Sequence, residues 1–180
     1  MISHQISFST ERLIVRKLKY SDAEDIFNTY ASNAVSTRYI SWPTHRTIDD
    51  TNAFLRTKIG SWDEGPDHTY VLVNKVTNQF IGSVGFVVEG RRVFIGYIMA
   101  PAMQGQGYAS EATRCMVDYL CSLNYYSKIW ACCAVENEAS AKVLENAGME
   151  REALVHNWVN FVNLEDVYLD CYFYNYPLNR

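Results

Sequence analysis

Tyr97-Ile98-Met99-Ala100-Pro101-Ala102-Met103-Gln104-Gly105-Gln106-Gly107-Tyr108-Ala109-Ser110-Glu111-Ala112 reads as a strand that breaks at Pro101, a turn through two glycines and the start of a helix. The helix continues through Thr113-Arg114-Cys115-Met116-Val117-Asp118-Tyr119-Leu120. At such a junction the first-turn backbone N–H groups lack intrahelical acceptors, and the helix dipole adds partial positive charge. Phosphate or pyrophosphate is the matching ligand. Gly105 and Gly107 lack a β-carbon and let the main chain come close to a ligand oxygen. The stretch is neither Gly-x-Gly-x-x-Gly nor a P-loop, because no Gly-Lys-Ser/Thr closes it. Glycines between a strand and a helix also occur in plain tight connections, so the turn needs a second marker.

Upstream, Leu13-Ile14-Val15-Arg16-Lys17-Leu18 predicts a first strand. Ser21-Asp22-Ala23-Glu24 has the spacing of a capping box, and Ile26, Phe27 and Tyr30 supply the apolar face of the helix it opens. Tyr39-Ile40-Ser41-Trp42-Pro43 is an irregular aromatic segment, and Thr47-Ile48-Asp49-Asp50 caps a second helix that ends before Gly65-Pro66-Asp67. Three strands follow, Thr69 to Val73, Phe80 to Val88 and Val93 to Met99, joined by short turns and therefore antiparallel. Downstream of the glycine turn and its helix, Lys128 to Val135 is a buried-looking strand. It lies beyond a helical crossover, so it runs parallel to the strand before the turn. Asn137 to Ala147 is a short helix stopped by Gly148. Glu150 to Tyr176 holds two more strands, with Trp158-Val159-Asn160-Phe161 between them. The fold class is α+β with a mixed sheet.

With 180 residues, nearly half of them hydrophobic, the chain is expected to form one domain over 1–180 with a full core. A net charge of −4 leaves no basic footprint for nucleic acid. The five cysteines show no Cys-x-x-Cys spacing, and Cys132-Cys133 point to opposite faces of one strand. Buried thiols in a reducing compartment are expected rather than zinc or disulfides. The start, Met1-Ile2-Ser3-His4-Gln5, has no signal pattern, and no apolar run spans a bilayer. The expectation is a cytoplasmic protein with no membrane partner and no metal, as a monomer or homodimer.

The second marker is Asn137-Glu138-Ala139-Ser140 followed by Val143-Leu144-Glu145-Asn146-Ala147-Gly148-Met149. By itself it is a capped helix with a glycine stop. Gln104-x-x-Gly107-x-Ala109 resembles the Gln/Arg-x-x-Gly-x-Gly/Ala signature with which GNAT-superfamily N-acetyltransferases hold the pyrophosphate of acetyl-coenzyme A. Asn-x-x-Ser before Gly-Met resembles the second GNAT marker, in the right order and one strand later. Thr10-Glu11-Arg12-Leu13-Ile14-Val15-Arg16, Ile81-Gly82-Ser83-Val84-Gly85, Ile95-Gly96-Tyr97-Ile98-Met99 and Asp166-Val167-Tyr168 resemble the RimJ/RimL-like branch, which acetylates ribosomal-protein N-termini. The resemblance covers nearly the whole chain. It implies the GNAT fold, in which the strand before the glycine turn splays from its parallel neighbour and pantetheine lies in the gap. It places pantetheine at Ile98, Met99 and Ala100. The pyrophosphate falls on Gln104, Gly105, Gln106, Gly107, Tyr108, Ala109 and Ser110, and Asn137 and Ser140 lie beside the thiol.

The implied reaction moves an acetyl group from a thioester to a neutral primary amine, either a protein N-terminus or a small-molecule amine. An α-amine loses its proton near pH 8 and a lysine near about 10.4, so an N-terminus is the easier acceptor. A backbone N–H near Met99 is the candidate oxyanion donor. Many GNAT enzymes carry an acidic tyrosine where this chain has Leu144; the RimJ/RimL-like branch commonly lacks it and is thought to use a serine, so the resemblance implies Ser140 as the candidate proton donor to the thiolate. Relatives often carry a glutamate base where this chain has Phe94. Glu89, His68, a water chain or simple capture of the neutral amine would have to replace it, which favours a weakly basic amine. Tyr39, Trp42, Trp158 and Phe161 are expected in loops around the acceptor. A polycationic acceptor would need an acidic cleft, to which Asp49-Asp50 and Asp63-Glu64 could contribute. Two other readings stand beside this one. In one, Phe94 and Leu144 mark a GNAT-fold module that binds coenzyme A without turnover. In the other, a phosphate-binding protein uses the helix N-terminus alone.

Overall fold

The computed structural model describes residues 4–62, 65–165 and 167–178. The capping-box serine expected at Ser21 is not used. Instead a short 3-10 turn, Tyr20–Asp22, precedes helix α1, Ala23–Ile26, and the Asp22 carboxylate does the capping. It accepts the Lys19 N–H at 2.8 Å and a two-pronged contact from Arg16 at 2.7 and 2.9 Å. A carboxylate takes a guanidinium and a backbone donor together, which a serine hydroxyl cannot do. Breaking this largely buried pair by truncating Asp22 costs about 3–5 kcal/mol.

Eight strands form one sheet in the order β1-β2-β3-β4-β5-β6-β8-β7. They are β1 (Ser7–Ser9), β2 (Leu13–Lys17), β3 (Asp67–Asn74), β4 (Phe80–Glu89), β5 (Arg92–Met99), β6 (Lys128–Ala134), β7 (Glu150–Phe161) and β8 (Val167–Asn175). Only β5 and β6 pair in parallel. The short turn expected between β4 and β5 is there, with Gly90 at φ +67°. Strand β1 was not expected; three residues are too few for a period-two pattern, and it is held by pairing with β2.

Trp158-Val159-Asn160-Phe161 is strand rather than connection. It continues β7 past an irregularity between Val155 and Val159, where Asn157 takes φ +50°. The Asp170 carboxylate accepts the Asn157 N–H at 2.9 Å and meets His156 Nδ1 at 2.7 Å, so a side chain across the strand pair stabilises the bulge.

Two helical layers cover the sheet. On one face α4 (Tyr108–Ser122) and α5 (Glu138–Asn146) pack on Val93, Ile95, Tyr97 and Ile129. On the other, α1, a π-turn over Phe27–Ala31, α2 (Ala34–Thr37) and α3 (Ile48–Gly60) pack on Val71, Val73 and Ile98. Ile26 and Tyr30 face inward as their spacing predicts, while Asn28 and Ser32 are exposed. Thr47 and Asp50 cap α3 reciprocally, and Gly148 ends α5 at φ +86°. Asp166, part of one expected motif, lies outside the described residues, as do Met1 to Ser3 of the expected start.

Candidate active site

The site begins where β5 and β6 part. Their ladder holds only for Arg92–Lys128, Val93–Ile129 and Phe94–Trp130, whereas β5 stays paired with β4 through Met99. Beyond Phe94 one edge of β5 therefore has no strand partner. The Ala100 N–H bonds the Ile81 carbonyl at 2.9 Å. Antiparallel alternation then sends the main-chain groups of Ile98 and Ala100 towards β4, and those of Tyr97 and Met99 into the gap. Of the three expected pantetheine positions, only Met99 offers its main chain to the gap. Ile98 lines the cavity by its side of the strand, Ala100 does not line it, and Tyr97 was missed. Strand alternation in the sequence could have found Tyr97, once the gap was known to lie on the β6 side.

A cavity of about 960 Å³ opens through the gap to both faces of the sheet. Of the residues named for the cofactor and the thiol, Gln104, Gly105, Gly107, Tyr108, Ala109, Ser110, Asn137 and Ser140 line it, and Gln106 does not. Gln106 is turned outward, its amide donating to the Ala102 carbonyl at 2.7 Å. Gly107 sits at φ +82° and opens α4 with no side-chain cap, whereas Asn33, Thr47 and Asn137 cap α2, α3 and α5. The first-turn donors of α4 therefore stay available to an anion.

A brace that the sequence reading did not identify holds this turn. Glu111, in the first turn of α4, accepts from Thr10 Oγ1 at 2.5 Å, the Arg12 N–H at 2.9 Å and Arg12 Nε at 2.7 Å. Arg12 Nη1 donates to the Gln106 carbonyl at 2.9 Å, and the guanidinium lies 4.4 Å from the centre of the Tyr108 ring. Burial alone would raise the Glu111 pKa, but these hydrogen bonds outweigh it and hold the carboxyl below its ordinary value. No local spacing reveals the brace, because its halves lie about a hundred residues apart.

Residues 12–150 match the family described as acetyltransferase (GNAT) domain. The chain belongs to the GNAT acetyltransferase family. It is 30% identical to the uncharacterized N-acetyltransferase p20 of Bacillus licheniformis, over 89% of this chain and 92% of that one. A GNAT-family acetyltransferase structure from Bacillus anthracis matches with a TM-score of 0.81 at 27% identity, covering 94% and 96% of the two chains. RimL, a ribosomal L7/L12 α-N-protein acetyltransferase solved in complex with coenzyme A, shares the fold with a TM-score of 0.83 at 19% identity, covering 95% and 97%.

This GNAT enzyme is thus an acetyl-CoA-dependent N-acetyltransferase. The open strand edge and the uncapped helix suit the pantetheine arm and the diphosphate. Among the described residues no group of three or more His, Cys, Asp or Glu is placed to hold a metal ion.

Ser140 reaches the gap from α5. Its Oγ is 2.7 Å from the Tyr97 hydroxyl, and the Ser140 carbonyl lies 3.0 Å from the same hydroxyl. Burial raises the Tyr97 pKa, so the phenol stays protonated. The phenol has one proton for these two oxygens: when it goes to the Ser140 carbonyl the serine donates to Tyr97, and when it goes to Oγ the serine proton is free for another acceptor. Asn137 caps α5 by accepting the Ser140 N–H at 3.1 Å and so orients the serine. Cys133 lies against Ser140, and burial pushes its thiol up to about 11. Leu144 is a core residue.

The expected bases are elsewhere. His68 packs between His4, Trp62 and Phe86 on the α4 face, and Glu89 pairs with Arg92 at 3.7 Å on the surface. Neither lines the cavity, whereas Phe94 does. Of the four aromatics expected around the acceptor, Tyr39, Trp42 and Phe161 line the cavity, whereas Trp158 does not and is half-exposed, edge-on to Phe173 at 5.2 Å. Asp50 is occupied by the Arg46 and Thr47 N–H groups, and neither it nor Asp49 lines the cavity. Asp63 and Glu64 lie outside the described residues.

Proposed function

We propose that the chain, acting as one domain over 1–180, carries acetyl from acetyl-CoA to a primary amine in the manner of the RimJ/RimL-like branch. The acceptor is a protein N-terminal α-amine or a small-molecule amine. The carrying observation is the hydroxyl pair Tyr97–Ser140 beside the unpaired edge of β5. The cofactor supplies an activated acetyl group as a thioester, and the chain supplies the rest. The Met99 N–H, facing the gap, stabilises charge growing on the acetyl oxygen. Ser36 Oγ donates to the Met99 carbonyl at 2.9 Å and fixes that peptide. The neutral amine nitrogen bonds the acetyl carbon, the carbon–sulfur bond breaks, Ser140 passes a proton to the sulfur, and the surplus proton of the amine, carried by water, restores the Ser140 hydroxyl.

The reading extends to a cytoplasmic setting, supported by free thiols at Cys115, Cys121, Cys132, Cys133 and Cys171. No helix of the described residues is long and apolar enough to cross a membrane. The test is thiol release from acetyl-CoA with a panel of amines and N-terminal peptides. Amine-dependent release is expected. Coenzyme A binding without release from any acceptor would favour a silent binding module, for which Phe94 and Leu144 speak.

A further inference from the structure

Among the described residues the charged groups lining the cavity are three cations, Arg38, Lys58 and Lys142, and one carboxylate, Asp67. This excess of positive charge stands in a chain of net charge −4. Lys142 lies on α5 beside Asn146, in the cofactor half. Lys58 is paired with Asp67, whose other oxygen accepts from Thr69 Oγ1 at 2.8 Å. The cavity's carboxylate is therefore already satisfied. Arg38, just after α2, lies 5.3 Å from the centre of the Tyr39 ring and has no carboxylate partner among the described residues. The same cavity is lined by Tyr39, Trp42, Phe54 and Phe161, with Trp42 and Phe54 rings 5.7 Å apart. The floor is bare, because Gly85 and Gly96 face each other across β4 and β5. A β-carbon on Gly96 would meet only Phe94 Cε1, at 3.6 Å.

We propose that the acceptor is an amine carrying a carboxylate and an apolar or aromatic body, with Arg38 as counter-charge to the carboxylate and the aromatic wall around the body. The assignment rests on the acetyltransferase reading above. A polyamine fits poorly: its extra ammonium groups would lose water beside Arg38 and Lys58 and find the carboxylate occupied. An acid group gains a charge-assisted contact with a guanidinium instead. The same cations lower the pKa of a nearby amine, since like charge disfavours the protonated form. That raises the reactive neutral fraction in a site whose base position holds Phe94. The carboxylate comes either from a free amino acid or from an acidic residue behind a peptide N-terminus.

The experiment compares phenylalanine, phenylalaninamide, spermidine, and the tripeptides Phe-Glu-Gly and Phe-Lys-Gly as acceptors, by thiol release from acetyl-CoA. The parent enzyme should prefer phenylalanine to its amide, or Phe-Glu-Gly to Phe-Lys-Gly, at least tenfold in kcat/KM. Whichever pair shows the preference identifies the source of the carboxylate. Arg38→Ala should erase the preference through KM and Arg38→Lys should restore part of it, with the thermal shift by coenzyme A unchanged in both. Faster turnover of spermidine, or a preference that survives Arg38→Ala, overturns the assignment and leaves the acetyltransferase reading standing. Coenzyme A binding with no release from any of the five acceptors overturns both.

Discussion

Ser140 and Tyr97 show how much one hydroxyl depends on another. A serine alone is a weak acid; when the Tyr97 phenol turns its proton from the Ser140 carbonyl to Oγ, the serine proton is released for another acceptor and the oxygen is better able to carry developing charge. Ser140→Ala is expected to lower kcat about 100-fold, within the usual range for a lost general acid. Tyr97→Phe should lower it less, and the double variant should be no worse than Ser140→Ala, because the two act as one unit. Coenzyme A affinity, measured by calorimetry, should hold in each. Equal and additive losses would show that the hydroxyls act separately. Ser140 could be read from Asn-x-x-Ser because its place in the motif is local. Tyr97 could not be assigned its role, because its partner lies 43 residues further on.

Among elements, β2 and α4 are coupled through Arg12 and Glu111. A carboxylate in the first turn of a helix complements the dipole, yet it also repels a diphosphate bound there. Arg12 neutralises it and, through the Gln106 carbonyl, sets the turn that presents the amides. Arg12→Ala is expected to raise KM for acetyl-CoA about tenfold while kcat changes little. Glu111→Gln in the Arg12→Ala background should recover part of that loss, since the unbalanced negative charge is gone. If kcat falls and KM does not, the brace serves the chemistry rather than the cofactor. The glycine turn, the helix after it and the three antiparallel strands were legible, because each depends on short-range rules. The strand character of Trp158–Phe161 was not, since a bulge interrupts the alternation. Asp170, which steadies that bulge, comes from the neighbouring strand.

At the scale of the molecule, His4 ties the start of the chain to the middle. It lies 4.3 Å from His68 and 4.9 Å from Phe86, its Nδ1 meets the Tyr119 hydroxyl at 2.9 Å, and the Tyr126 hydroxyl is 3.4 Å from Nε2. Burial, and secondly His68, lower its pKa to about 4. The unfolded chain therefore binds a proton at His4 before the folded chain does. The associated stability is fully present above about pH 6.5 and is lost as pH falls towards 4. Thermal midpoints should decline across that window, and His4→Gln should flatten the decline. The carboxyls of Glu111, Asp50 and Asp170, all held below their ordinary values, lose their contributions only at lower pH. An unchanged slope in His4→Gln would assign the acid sensitivity to other groups.

The sequence by itself determined the mixed sheet, the uncapped glycine turn and the capped helix carrying Ser140. Backbone freedom at glycine, capping chemistry and hydrophobic period act within a few residues and leave their mark in local order. The tertiary structure alone decided which edge of β5 is open, that Tyr97 meets Ser140, that Arg12 holds Glu111, and that the cavity collects cations rather than carboxylates. Those features, the charge lining among the described residues included, depend on distances between groups from different parts of the chain, and a strand's pattern does not record which neighbour departs from it.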